Sequence, residues 1–360
     1  MPEHPYRSQP PRAFWSRAVA TGFEPREVAT GTGPLLGRSD RVMSAGSCFA
    51  SNMIPWLERS GIEYVRTETP PPAFRDLPEN LGYGNFSAAY GNIYTARHLR
   101  QLLQRCLSTF VPVEDRWYRD VFVVDPFRPG LRYPARSDEE FDLLTGQHLA
   151  AVLEAVRLST VLVFTLGLTE GWCSRVDGAT YPACPGTIAG EFDPDRHEFR
   201  NFTVDEVTDD LLGALDLARS VNPSLRLILT VSPVPLVATA TDQHVLTATT
   251  YSKAVLRVAA DQVTRARDGV EYFPAYELVT GPQAPDAFYA EDRRDVTDEA
   301  VAVVMGALFG PQDSGTADGR GPDDGRNSGT GTGGTVAHSL SQAISEAECD
   351  EVMMEWEPGD

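Results

Sequence analysis

Lysine is almost absent: Lys253 is the only one in 360 residues, and arginine supplies the rest of the 31 basic side chains. Against 51 acidic residues, the formal net charge is −20. A chain of that sign repels phosphate, which excludes nucleic acid and anionic lipid as principal partners. Cysteine is scarce too. The thiols at 48, 106, 173, 184 and 349 form neither a disulfide framework nor C-x-x-C knuckles, so no metal site is expected. No apolar run is long enough to span a bilayer. The opening stretch MPEHPYRSQPPRAFWSRAVATG lacks the apolar core of a secretory leader. The expectation is a cytoplasmic protein with reduced thiols and no membrane span, metal or cofactor.

What is present is an alternation of apolar runs and helical periods. RVMSAGS (41–47) reads as a strand entering a turn, and 48–61 as a helix with Pro55 at a first turn or kink. STVLVFTLG (159–167) and RLILTVSPV (226–234) are continuous apolar runs, the mark of strands buried on both faces. Helical spacing predicts helices over 95–107, 138–157, 203–220, 251–266 and 296–310, the last capped by Gly310. VEYFPAYEL (270–278) reads as a further strand. Buried strands separated by helices predict an α/β fold, a parallel sheet with helices on both faces. Residues 1–40 read as an arm laid over the domain by Phe14 and Trp15, and 41–310 as the domain. Residues 311–336 read as a Gly-rich flexible linker, and 337–360 as a disordered acidic tail or a short helix for a protein partner.

Sites in such folds lie past the carboxyl ends of strands. Four strand ends there carry polar or glycine residues. Ser47, between Gly46 and Cys48, is either a nucleophile or the cap of the following helix. Cys48 is a rival nucleophile at a helix start. Gly91-Asn92 offers a backbone N–H and a side-chain amide as oxyanion donors, or a simple turn. Gly167 permits close backbone approach, with Thr169 and Glu170 at the same edge. His244 and Lys253 follow the strand at 226–234, and Asp292, Arg293, Arg294 and Asp295 precede the closing helix.

GSCFA at 46–50 is the eponymous motif of the GSCFA-domain family, which this chain resembles over most of residues 5–309. YGNIYTARHLRQLL, TLGLTEGW, LILTVSPVPLVAT, HVLTATTYSKAVLR and YFPAYELVT match family segments in the same order. The family is similar to the SGNH/GDSL hydrolases. The resemblance implies a three-layer α/β/α sandwich with a flavodoxin-like sheet, and serine-dependent chemistry on an acyl ester, of a glycan or other small molecule. It implies Ser47 as nucleophile of an esterase or O-acyltransferase, with Gly91, Asn92, Gly167 and Thr169 in the oxyanion blocks. The Asp-x-x-His block of those hydrolases departs here, because Asp295 stands in the histidine's place. His244 oriented by Asp292 or Glu170 is the expected base, with Lys253 as the alternative. A silent binding module on the same scaffold is the competing expectation.

Overall fold

The computed structural model describes residues 4–29, 34–70, 82–128, 131 and 134–309, without the side chain of Cys48. The linker and acidic tail at 311–360 and the Gly310 cap lie outside these residues. Five parallel strands form the central sheet: β1 (Arg41–Gly46), β2 (Glu63–Tyr64), β5 (Val161–Leu166), β9 (Arg226–Val231) and β10 (Val270–Phe273). Two small antiparallel sheets join β3 (Trp117–Arg119) to β4 (Phe122–Val124), and β6 (Glu170–Ser174) to β7 (Thr180–Tyr181) and β8 (His197–Asn201).

The two-residue period of the strands sorts the core into two layers. Met43, Ala45, Leu162, Phe164, Leu227 and Leu229 face one way. There they meet α4 (Ala96–Cys106), α5 (Asp138–Leu158), α6 (Val204–Val221) and α7 (Val245–Ala266). Val42, Val161, Val163 and Ile228 face the other way. They meet α3 (Ile54–Arg59), α8 (Ala275–Thr280) and α9 (Asp298–Phe309). The protein is therefore a three-layer α/β/α sandwich. The sheet order is β2-β1-β5-β9-β10. Numbering only the sheet strands, that is 2-1-3-4-5, the flavodoxin-like order whose switch point lies between the first and third strands.

Several local expectations shift. Residues 48–53 are 3₁₀ and only 54–59 are α, with Pro55 in the first α turn, where its missing N–H is harmless. The segment 270–278 is strand only to Phe273; Pro274 then opens α8. At the amino end, α1 (Trp15–Ala18) leaves Trp15 64% exposed, and Phe14 is only half-buried. Ala29 of α2 (Pro25–Ala29), Leu35 and Leu36 enter the core instead. Among the described residues no helix is long and apolar enough to cross a membrane.

Candidate active site

Ser47 leaves the carboxyl end of β1 beside the end of β5, at the switch point. Gly46 has φ of +136°, and a Cβ there would stand 2.3 Å from the Thr165 carbonyl oxygen. Only glycine lets β1 lie against β5 while the chain turns away. The Ser47 N–H donates to that same carbonyl at 3.1 Å, which fixes the turn. Ser47 occupies the N-cap position of the 3₁₀ helix Cys48–Met53, yet its side chain makes no capping bond. Its Oγ is buried and has no hydrogen-bond partner among the described residues. Leaving a buried hydroxyl unsatisfied is unfavourable by roughly 1–3 kcal/mol.

Gly167 closes the opposite side. A Cβ on it would stand 3.1 Å from the Tyr94 carbonyl and 3.3 Å from the Cβ of Ser47, so the absent side chain is what lets the two turns meet. The Gly167 and Leu168 N–H groups both donate to the Tyr94 carbonyl at 3.1 Å, and the Thr169 N–H donates to Ser252 Oγ at 3.0 Å. These three donors are committed to structure. The Thr169 hydroxyl is committed too, donating to Asn201 Oδ1 at 2.7 Å. Lys253, on α7, is 2% exposed, and its Nζ donates to the Gly167 carbonyl at 2.6 Å.

Gly91 turns with φ of +65°, and the next peptide is pinned by Ile93 N–H donating to the Gly46 carbonyl at 2.8 Å. Asn92 is buried in this turn, and its Nδ2 donates to the Tyr94 hydroxyl at 3.1 Å. Ser47, Tyr94 and Gly167 border a cavity of about 320 Å³. Its remaining walls come from β6, β8, the loop at 182–188, the loop at 232–240, and Arg294. Glu170 lies on its rim and accepts from the Thr239 hydroxyl at 2.7 Å and the Ala240 N–H at 3.3 Å. Cys184 also borders it, and burial pushes its thiol up to about 11, so it stays protonated at neutral pH.

The structure does not bring the expected base to this cavity. His244 is the N-cap of α7, which starts six residues before the helix the spacing predicts. Its exposed imidazole accepts the Leu246 N–H through Nδ1 at 3.1 Å. Asp292 is exposed, and its Oδ1 accepts the N–H groups of Arg294 and Asp295, both at 3.0 Å, in a tight turn. Neither borders the cavity. The side chain that segment does supply is Arg294, whose guanidinium pairs with Asp295 at 3.2 Å. The buried imidazoles belong elsewhere: His98 sits on α4, His148 Nδ1 meets Glu68 at 2.7 Å, and His197 is locked in β8 against Glu114 at 3.1 Å. Among the described residues no group of three or more His, Cys, Asp or Glu could hold a metal.

Tyr94, Trp172, Ser232 and Phe199 border the site without having been singled out from sequence. The signal for Ser232 was present, since it ends the apolar run of β9. Trp172 and Phe199 meet only because β6 and β8 pair in register.

Fold and cleft together define a flavodoxin-like α/β protein with a buried serine at its switch point. The chain belongs to the GSCFA family, whose pattern matches residues 41–308. Among solved structures it is similar to a carbohydrate esterase family 3 protein from Talaromyces cellulolyticus, at 9% identity over 75% of this chain and 94% of that one, with a TM-score of 0.34. A mutant acetyl esterase with acetate ion matches at 10% identity over the same shares, with a TM-score of 0.32. No curated protein matches the chain.

Proposed function

We propose that the protein is a serine-dependent acyl-ester hydrolase or O-acyltransferase with Ser47 as its nucleophile. The observation that carries this is the buried Ser47 hydroxyl, unpartnered among the described residues and bordering a cavity at the switch point of the sheet. Ser47 Oγ attacks the ester carbonyl, the new Oγ–carbon bond forms, and the proton of the hydroxyl passes to the departing alcohol. Water, or a second alcohol, then cleaves the acyl-serine bond and regenerates the hydroxyl. Lys253 is the base in this scheme. What supports this is its burial and the 2.6 Å bond of its Nζ to the carbonyl of Gly167, the residue that abuts Ser47. Asn92 serves as the oxyanion amide in this scheme by releasing its Nδ2 from the hydroxyl of Tyr94, which borders the cavity while Asn92 itself does not. Glu170 and Arg294 are the charged side chains on the cavity wall, each already held by partners of its own.

A second reading, a binding module without turnover, is favoured by one observation: among the described residues no histidine borders the cavity. Hydrolysis of p-nitrophenyl esters by wild type and Ser47→Ala separates the two. Turnover lost in the variant supports the enzyme; turnover equal in both overturns Ser47 as nucleophile.

A further inference from the structure

The cavity beside Ser47 is walled mainly by carbon. Leu168, Trp172, Ile188, Phe199, Val234 and Leu236 all border it. Trp172 and Phe199 are cross-strand partners on β6 and β8, with ring centroids 5.7 Å apart and ring planes at 62°. Phe192 also packs edge-on against Trp172, with ring centroids 5.3 Å apart. The facing loop brings Val234 to Ala238, anchored where Leu236 N–H donates to Thr249 Oγ1 on α7 at 3.1 Å.

Apart from the Ser47 hydroxyl, most of the polar side chains on the wall already have partners. The Glu170 carboxylate accepts from Thr239 and Ala240. Ser232 Oγ accepts the Val234 N–H at 3.3 Å, and Arg294 pairs with Asp295. A sugar ring would need many of those groups for its hydroxyls, and a charged acyl group would need a dedicated counter-ion. An apolar chain needs none of them. The volume, about 320 Å³, exceeds what an acetyl group fills and falls at the small end of ligand pockets, which run from roughly 300 to 1,000 Å³.

We propose that the group delivered to Ser47 is an apolar acyl chain several carbons longer than acetyl, lying between the Trp172–Phe199 wall and the loop at 234–238. This substrate class rests on the ester chemistry proposed above. Each methylene buried in an apolar cavity is worth roughly fourfold in affinity. The expected kcat/KM therefore climbs about fourfold per methylene from acetyl, through butanoyl and hexanoyl, until the cavity is full.

The test has two arms. In the first, kcat/KM is measured for p-nitrophenyl acetate, butanoate, hexanoate and octanoate with wild type, and with Val234→Trp and Ile188→Trp, which fill the cavity from two different loops. The expected result is a rising series in wild type that flattens in either tryptophan variant that melts like wild type. In the second, titration calorimetry compares acetate with octanoate binding to Ser47→Ala, which needs no turnover. Octanoate is expected to bind at least tenfold tighter. Acetyl ester turned over best, or octanoate bound no tighter than acetate, overturns the proposal. Octanoate preference in Ser47→Ala with no ester turnover in wild type upholds the acyl pocket and overturns the ester chemistry alone.

Discussion

Lys253 Nζ stands 2.6 Å from the carbonyl oxygen of Gly167, and Gly167 in turn abuts Ser47 so closely that a Cβ on it would lie 3.3 Å from the serine Cβ. The only lysine of the chain thus bonds to the residue that packs against the candidate nucleophile. Three elements meet there: the end of β1, the end of β5 and the middle of α7. Lys253→Met should lower kcat on the best ester by about 10²- to 10⁴-fold, the range general-base help supplies. Lys253→Arg should not restore it, because guanidinium holds its proton. Steady-state kinetics across pH checks this. A variant that merely loosened the fold would lower the melting temperature without changing the pH profile.

Gly167→Ala should leave the fold standing but reduce Ser47 reactivity, by at least about tenfold. The added methyl would sit 3.1 Å from the Tyr94 carbonyl and 3.3 Å from Ser47, tight enough that the serine turn must give way by tenths of an ångström. Positioning errors of that kind lower rates more than stability. Turnover and the melting curve, measured on one preparation, separate the two.

Gly46→Ala should act the other way, on the fold first. Its Cβ would collide with the Thr165 carbonyl at 2.3 Å, and its φ of +136° is closed to alanine. Strained positions of this sort are unfavourable by roughly 1–3 kcal/mol before any clash is relieved. Urea denaturation should show a loss of at least about 2 kcal/mol, or no soluble protein.

His244→Ala should leave ester turnover unchanged. The imidazole accepts the Leu246 N–H at the start of α7, so its removal weakens a helix cap, an effect on the order of 1 kcal/mol. A loss of activity matching that of Ser47→Ala would return His244 to the site.

The protein should lose stability as pH falls below about 6.5. His98 is buried on α4, and desolvation, reinforced by Arg105, pushes its imidazole down to about 3. The folded protein holds it neutral, whereas the unfolded chain takes up a proton below its ordinary value near 6.5. Below that pH the unfolded state binds more protons, so stability drains away between about 6.5 and 3, by up to roughly 1.4 kcal/mol per pH unit for one proton. His148 is depressed as well, through burial and Arg128. Burial opposes ionisation of Asp125, but Arg128 and Arg105 outweigh it and hold its carboxyl below the ordinary value, which adds to the loss at the acid end. His98→Gln should flatten the slope between pH 6.5 and 4 in denaturation midpoints.

Much of this was legible in the sequence. The strands at 161–166 and 226–231 announce themselves because both faces are buried, so apolar residues dominate each run and only Thr165 and Thr230 break it within. Gly46-Ser47 was legible as a strand-to-helix turn, since its glycine does what only glycine can. The start of α7 was hidden by Thr247, Thr249 and Thr250, which lower helix propensity, while packing of Ala248 and the bond from Leu236 to Thr249 override it. That hidden start is why His244 looked like a loop residue. The aromatic wall was illegible for another reason: Trp172 and Phe199 sit on short half-polar strands, and nothing local to either reports their register.

The most direct measurement is intact-mass analysis after incubation with an alkyl fluorophosphonate, of wild type and Ser47→Ala side by side. A single adduct on wild type, mapped to Ser47 and absent from the variant, is the predicted result. An adduct that persists in Ser47→Ala, or a wild type that stays unlabelled while hydrolysing esters, would contradict Ser47 as the nucleophile.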